Sequence, residues 1–165
     1  MSKAVLNSSV IIALSILGYL DKIKQVFKHV LIAKSVYEEV CVKGRGLTGE
    51  KELLKAVKER TILVRDVHNR WLVNALLDPL AIGEAESIAL AVEEKADYIV
   101  LDDMLARRRA ISMGLNVIGT LRILRLMYDA KLIGRSEVLN SLEKLRQAGF
   151  RISDEVIRRA SQELK

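Results

Sequence analysis

Short apolar runs alternate along this chain with longer stretches whose apolar positions recur every three or four residues, the pattern of βα units that build a parallel sheet. The runs predict strands at Lys3 to Leu6, Val30 to Ala33, Thr61 to Val64, Tyr98 to Leu101 and Asn116 to Ile118. Between them the spacing predicts helices over about 9–19, 21–28, 34–42, 49–60, 69–77, 84–95 and 104–113. From Thr120 onward the pattern is helical only, with Gly134 and Gly149 separating three helices.

Polar residues collect where the predicted strands end. In an open α/β sheet, ligands gather at the carboxyl ends of the strands, so side chains leaving a strand there are well placed for chemistry. The first strand runs into Asn7, Ser8 and Ser9, and the helix after the second, SVYEEV, carries Glu38 and Glu39. Glu84 and Glu86 open the helix before the fourth strand, and Asp102 with Asp103 close that strand. Capping accounts for the same residues in another way. Acids in a first helical turn are favoured by the macrodipole, and an Asp, Asn or Ser N-cap stabilises by about 1 kcal/mol. Adjacent helical positions face about 100° apart, so one of Glu38 and Glu39 can point inward while the other is solvated.

Composition narrows the picture. With 165 residues, half of them hydrophobic, and no Gly/Ser/Pro-rich linker, the chain reads as one domain spanning 1–165. The lone Cys41 forms no internal disulfide and suits a small core position. His29 and His68 belong to no zinc-binding pattern, so a bound metal would need oxygen ligands. The apolar stretch Val10 to Gly18 is too short to span a bilayer, and no convincing cleavage site follows it. A cytoplasmic protein away from the membrane is expected. Twenty-seven Lys and Arg against 21 Asp and Glu leave a formal charge of +6, which favours an anionic partner. With one Trp, four Tyr and two Phe, contacts to nucleic acid would fall mainly on phosphates rather than on stacked bases.

NSSVIIAL, SVYEEV, GEAESIALA, VLDDMLARRRAISMGLNVIGTL and the C-terminal KLRQAGFRISDEV form a series that resembles the PIN-domain ribonucleases. The likeness is strongest to their compact, VapC-like archaeal and bacterial branch, and it covers nearly the whole chain. It implies a three-layer α/β/α fold, with a central, mostly parallel sheet of four to five strands and a C-terminal helical extension. Carried over motif by motif, the metal-binding and catalytic acids fall on Asn7, Glu39, Glu84 and Asp102, with Ser9 as the small hydroxyl beside them. Asp103 is the alternative to Asp102, Glu86 to Glu84 and Glu38 to Glu39.

Converging carboxylates need a counter-charge, since two unit charges 4 Å apart repel by about 4 kcal/mol at an effective dielectric of 20. Mg²⁺ or Mn²⁺ supplies it through oxygen ligands. The activity implied is metal-dependent hydrolysis of single-stranded RNA, as in the toxin of a toxin–antitoxin pair, with RNA, an antitoxin and a second copy of the chain as partners. Arg107 and Arg108 are placed to grip phosphates after the acid pair. One departure stands out: the usual first acid is the neutral Asn7, a weaker ligand. The alternative is therefore a catalytically weakened PIN fold that binds RNA or protein.

Overall fold

The computed structural model describes residues 2–165. Five parallel strands form one sheet in the order β3-β2-β1-β4-β5, with β1 Lys3–Leu6, β2 His29–Ala33, β3 Leu63–Arg65, β4 Tyr98–Val100 and β5 Val117–Ile118. The helices of this α/β/α arrangement are α1 Ser8–Leu17, α2 Lys34–Tyr37, α3 Glu50–Lys58, α4 Arg70–Leu76, α5 Ile82–Glu93 and α6 Met104–Ser112. α7 Thr120–Asp129, α8 Arg135–Gln147 and α9 Asp154–Glu163 follow.

β1 is central because it is apolar along its length, with Ala4, Val5 and Leu6 fully buried. It pairs Ala4 with Val30 of β2 on one side and with Tyr98 of β4 on the other. From β1 the chain winds outward through β2 and β3, then returns across the sheet to place β4 on the opposite flank. The winding direction of the chain therefore reverses between β1 and β4, and the crevice beyond their carboxyl ends is where such sheets bind ligands. α5 packs across β1, β2 and β4, and its run from Ala85 to Ala91 is buried.

Three predicted elements differ in detail. β3 begins two residues later than expected, because the N–H groups of Thr61 and Ile62 both bond to the Ala56 carbonyl, closing the end of α3. The helix expected over 21–28 is a 3₁₀ helix, Leu20–Gln25. Gly18, in the left-handed region at φ 72°, has already ended α1, and Phe27 is drawn into the core against Tyr98. The helix expected over 34–42 widens after Tyr37 into a π-helix, Glu38–Lys43, a form that often occurs at functional sites. Gly44 closes it, since a Cβ there would lie 2.6 Å from the Val40 carbonyl oxygen and 2.9 Å from that of Glu39. Cys41 is buried as expected, and burial raises its thiol pKa, with Glu50 adding to the shift.

The chain divides into two compact units, one ending at Thr120 and the other Leu121–Lys165. Within the second, α8 packs on α9. The Arg135 guanidinium donates to the Leu164 and Ser161 carbonyls, and the Tyr128 hydroxyl donates to the Lys165 carbonyl at 2.8 Å. Arg146 bridges Glu143 and Asp154. Among the described residues no helix is long and apolar enough to cross a membrane.

Candidate functional site

Asn7 is the last residue before α1, and its backbone N–H still follows the sheet, donating to the Val100 carbonyl of β4. That bond holds the residue at the tip of β1 with its side chain buried, 4% exposed. Its amide oxygen Oδ1 has no hydrogen-bond partner. A buried polar oxygen without a partner costs about 1–3 kcal/mol. Asn7 is also the N-cap of α1, but its side chain makes no capping bond.

Glu39 reaches the same spot from the π-helix. A Cβ built on the buried Gly83 would lie 3.1 Å from the Glu39 Oε2 and 3.7 Å from Asn7 Oδ1. Gly83 thus leaves room for Glu39 Oε2 near Asn7, and a side chain there would crowd the glutamate first. Glu38, its neighbour, is exposed as Glu39 is, and both line the outer cavity described below.

Glu84, one residue beyond Gly83, is half-buried and accepts the Ala81 N–H at 3.1 Å in the first turn of α5. Its carboxyl pKa is raised, first by burial and then by the negative charges of Asp103 and Glu39, and the Ala81 bond offsets this only in part. Glu86 is in a different situation. It is 6% exposed, its Oε1 accepts the Ser35 N–H at 3.1 Å, and its Oε2 pairs with Arg70 at 2.6 Å. Burial pushes its pKa up, but the bonds from Ser35 and Arg70 outweigh it and the net shift is downward. Glu84 faces the other acids, whereas Glu86 is committed to holding α2 and α4.

The two aspartates at the end of β4 also divide. Asp103 is the N-cap of α6 and accepts the Ala106 N–H at 2.9 Å. Asp102 turns toward the segment after β5: Oδ1 accepts the Thr120 N–H at 2.9 Å, and Oδ2 accepts the Thr120 hydroxyl at 2.6 Å. Ser9 Oγ stands 3.5 Å from the same Oδ2, linking the tips of β1 and β4. Arg107 is half-buried and donates from Nη1 to the Leu101 carbonyl at 2.7 Å, tying α6 to the end of β4. A Cβ at Gly119 would come within 2.8 Å of that nitrogen and 3.0 Å of Asp102 Oδ1. Arg108 is exposed.

The structure therefore brings Asn7, Glu39, Glu84, Asp103, Asp102 and Ser9 to the carboxyl ends of β1, β2 and β4, and leaves Glu86 out. Among the described residues, no three His, Cys, Asp or Glu side chains are arranged to hold a metal ion by themselves. Sequence reasoning missed Thr120, Gly83 and Gly119 as parts of this region. The available signal was Gly83 directly before Glu84 and the pair Gly119 and Thr120 directly after the fifth apolar run.

A cavity of about 500 Å³ adjoins the cluster through Glu39 and Gly83. Lys34, Lys43 and Arg70 contribute positive charge to its wall, and Glu38 and Glu86 contribute negative charge.

In structure the chain is similar to a PilT N-terminus domain protein of the hyperthermophilic archaeon Sulfolobus solfataricus P2, at 21% identity and a TM-score of 0.49, over 77% of this chain and 92% of that one. No curated protein matches the sequence. A PIN-domain family model matches residues 3–165, and the chain belongs to the PIN-domain family.

Proposed function

We propose that this chain is a metal-dependent endoribonuclease that hydrolyses phosphodiesters of single-stranded RNA in the cleft between the tips of β1 and β4. PIN domains include metal-dependent nucleases. The observation that carries the reading is Asn7 Oδ1, a buried acceptor with no donor, which lies 3.7 Å from the Cβ position of Gly83 that Glu39 Oε2 approaches to 3.1 Å. Such an oxygen near a dispersed set of carboxylates fits an ion that keeps several waters, as Mg²⁺ does, rather than a closed protein cage. Asn7, Glu39, Glu84 and Asp102 would hold it, with Asp103 adjacent. A divalent ion there supplies electrophilic stabilisation of the phosphodiester and acidifies a water.

The chain's own groups do the rest. Glu84, whose carboxyl pKa is raised by burial and by the negative charges of Asp103 and Glu39, is the acid whose ionised form gains most from a cation beside it. Asp102, fixed at both oxygens, orients the ligand set. Lys34 and Lys43 in the adjoining cavity and the exposed Arg108 offer contacts to flanking phosphates, consistent with the +6 charge. Arg107 acts from behind, by holding the Leu101 carbonyl. The toxin role, with an antitoxin covering the cleft, a homodimer as the working form and the cytoplasm as its place, belongs to the same reading.

The neutral Asn7 favours a second reading, a PIN fold that binds RNA or protein with little turnover. Cleavage of single-stranded RNA with Mn²⁺, Mg²⁺ or chelator, by wild type, Asp102→Ala and Asn7→Asp, decides between them. Metal-dependent cutting by wild type that Asp102→Ala abolishes is the expected result. Silence in wild type with cutting by Asn7→Asp establishes the second reading, and unchanged cleavage by Asp102→Ala rejects the site.

A further inference from the structure

Asp102 and Asp103 are adjacent, yet they are held in different ways. Asp103 accepts one capping bond, from Ala106, as an N-cap does. Asp102 accepts two bonds from a single residue, one at each oxygen: the Thr120 N–H at Oδ1 and the Thr120 hydroxyl at Oδ2. Capping the start of α7 requires only the first. The second adds nothing to a cap, but it fixes the rotation of the carboxylate about its last side-chain bond, because a planar group held at both oxygens cannot turn without losing one.

Three further features belong to this clamp. Thr120 is 3% exposed, so its hydroxyl has no competing bulk water. Ser9 Oγ approaches the same Oδ2 as the Thr120 hydroxyl, which leaves the open lone pair of Asp102 on the Oδ1 side. Gly119 has no side chain where Arg107 Nη1 and Asp102 Oδ1 both come close, and Arg107 in turn anchors the strand end through the Leu101 carbonyl. The carboxylate is thus positioned by the segment that follows β5.

We infer that Thr120 is a positioning residue for the acidic cleft: its hydroxyl and N–H hold Asp102 in the orientation in which that carboxylate meets a divalent cation. This rests on the reading of Asp102 as a ligand given above. Outer groups that orient a ligand typically change metal affinity by about 10–100-fold when removed. The role belongs to the hydroxyl specifically, so Ser can supply it, whereas Val, of nearly the same shape, cannot.

The test is Mn²⁺ titration of the full-length protein by calorimetry, without RNA, on wild type, Thr120→Val, Thr120→Ser and Asp102→Ala, with the unfolding midpoint of each measured in chelator. The expected result is binding weakened about tenfold in Thr120→Val and restored to near the wild-type value in Thr120→Ser. If Thr120→Val does not fold, Thr120→Ala removes the same hydroxyl without filling its space and is held to the same expectation. Wild-type Mn²⁺ affinity in the hydroxyl-less variant, with binding lost in Asp102→Ala, overturns the inference and leaves Thr120 as a helix-capping residue. Wild-type affinity in Asp102→Ala overturns the reading of the site, and the inference falls with it.

Discussion

Glu84 and Glu86 lie two residues apart on α5, and their surroundings move their acidities in opposite directions. Both are drawn out of water, which by itself disfavours the charged form. At Glu86 that penalty is more than offset by the Ser35 N–H and the Arg70 guanidinium, so its carboxylate is ionised below the usual range. At Glu84 it is compounded by Asp103 and Glu39 and only partly relieved by Ala81. One acid has a built-in counter-charge and serves the fold. The other has like charges for neighbours, and so retains an unmet need for a cation or a proton. Perturbed acids of the second kind mark reactive sites because the fold bears a cost there that only a ligand relieves.

The sharpest way to break this contrast is to neutralise each acid in turn. Glu84→Gln keeps the size and the acceptor for the Ala81 N–H while removing the charge that Asp103 and Glu39 repel. RNA cleavage should fall on the order of 10²-fold or more, since removing even an outer partner of a metal ligand costs roughly 10–100-fold. Stability in chelator should stay level or rise slightly. Glu86→Ala should do the reverse. It removes two charge-assisted bonds and should cost about 2 kcal/mol, read as a lower urea midpoint, with Arg70 half-exposed and able to recover water. Activity measured well below that midpoint should change only a few-fold. A Glu86→Ala protein that is stable and inactive, beside a Glu84→Gln protein that is unstable and active, would exchange the two roles.

Sequence alone read the fold further than it read the site, for a physical reason. Lys3–Leu6 stands where its apolar run puts it, since burial on both faces of a parallel strand leaves a continuous apolar signature. β3 slipped because hydrogen bonds to Ala56, which no hydropathy pattern records, consume the first two N–H groups of its apolar run. The site acids were visible as a set at the strand tips, yet each pair was ambiguous. Glu84 and Glu86 look alike in a first-turn motif, and they separate only because Arg70, distant in the chain, reaches one of them. Asp102 and Asp103 separate through Thr120, which follows β5. Gly83 has no side chain for a pattern to register, and its use is spatial, leaving room for Glu39 Oε2 near Asn7. Partners brought together by the sheet order were illegible, and residues placed by local periodicity were not.

The smallest expected effect is also the most direct test of the contrast, since it reads protons rather than rates. Glu86 has a lowered pKa in the folded state, so it contributes stability above the unfolded value of about 4.3 and loses it as pH falls through the folded value. The stability advantage of wild type over Glu86→Gln should therefore be constant from neutral pH down to about 5 and shrink below about 4. Glu84 has a raised pKa, so the folded state binds its proton more tightly than the unfolded chain does. Its ionisation costs nothing well below the unfolded value. It destabilises progressively as pH rises through the folded value, and the deficit is complete above it. Glu84→Gln should therefore gain on wild type as pH rises from 4, opposite in slope to the Glu86 pair. Urea unfolding of the three proteins in chelator across pH 3.5–8 gives both difference curves. If they run parallel, the two acids sit in like environments, and the division of α5 into a structural and a reactive carboxylate is wrong.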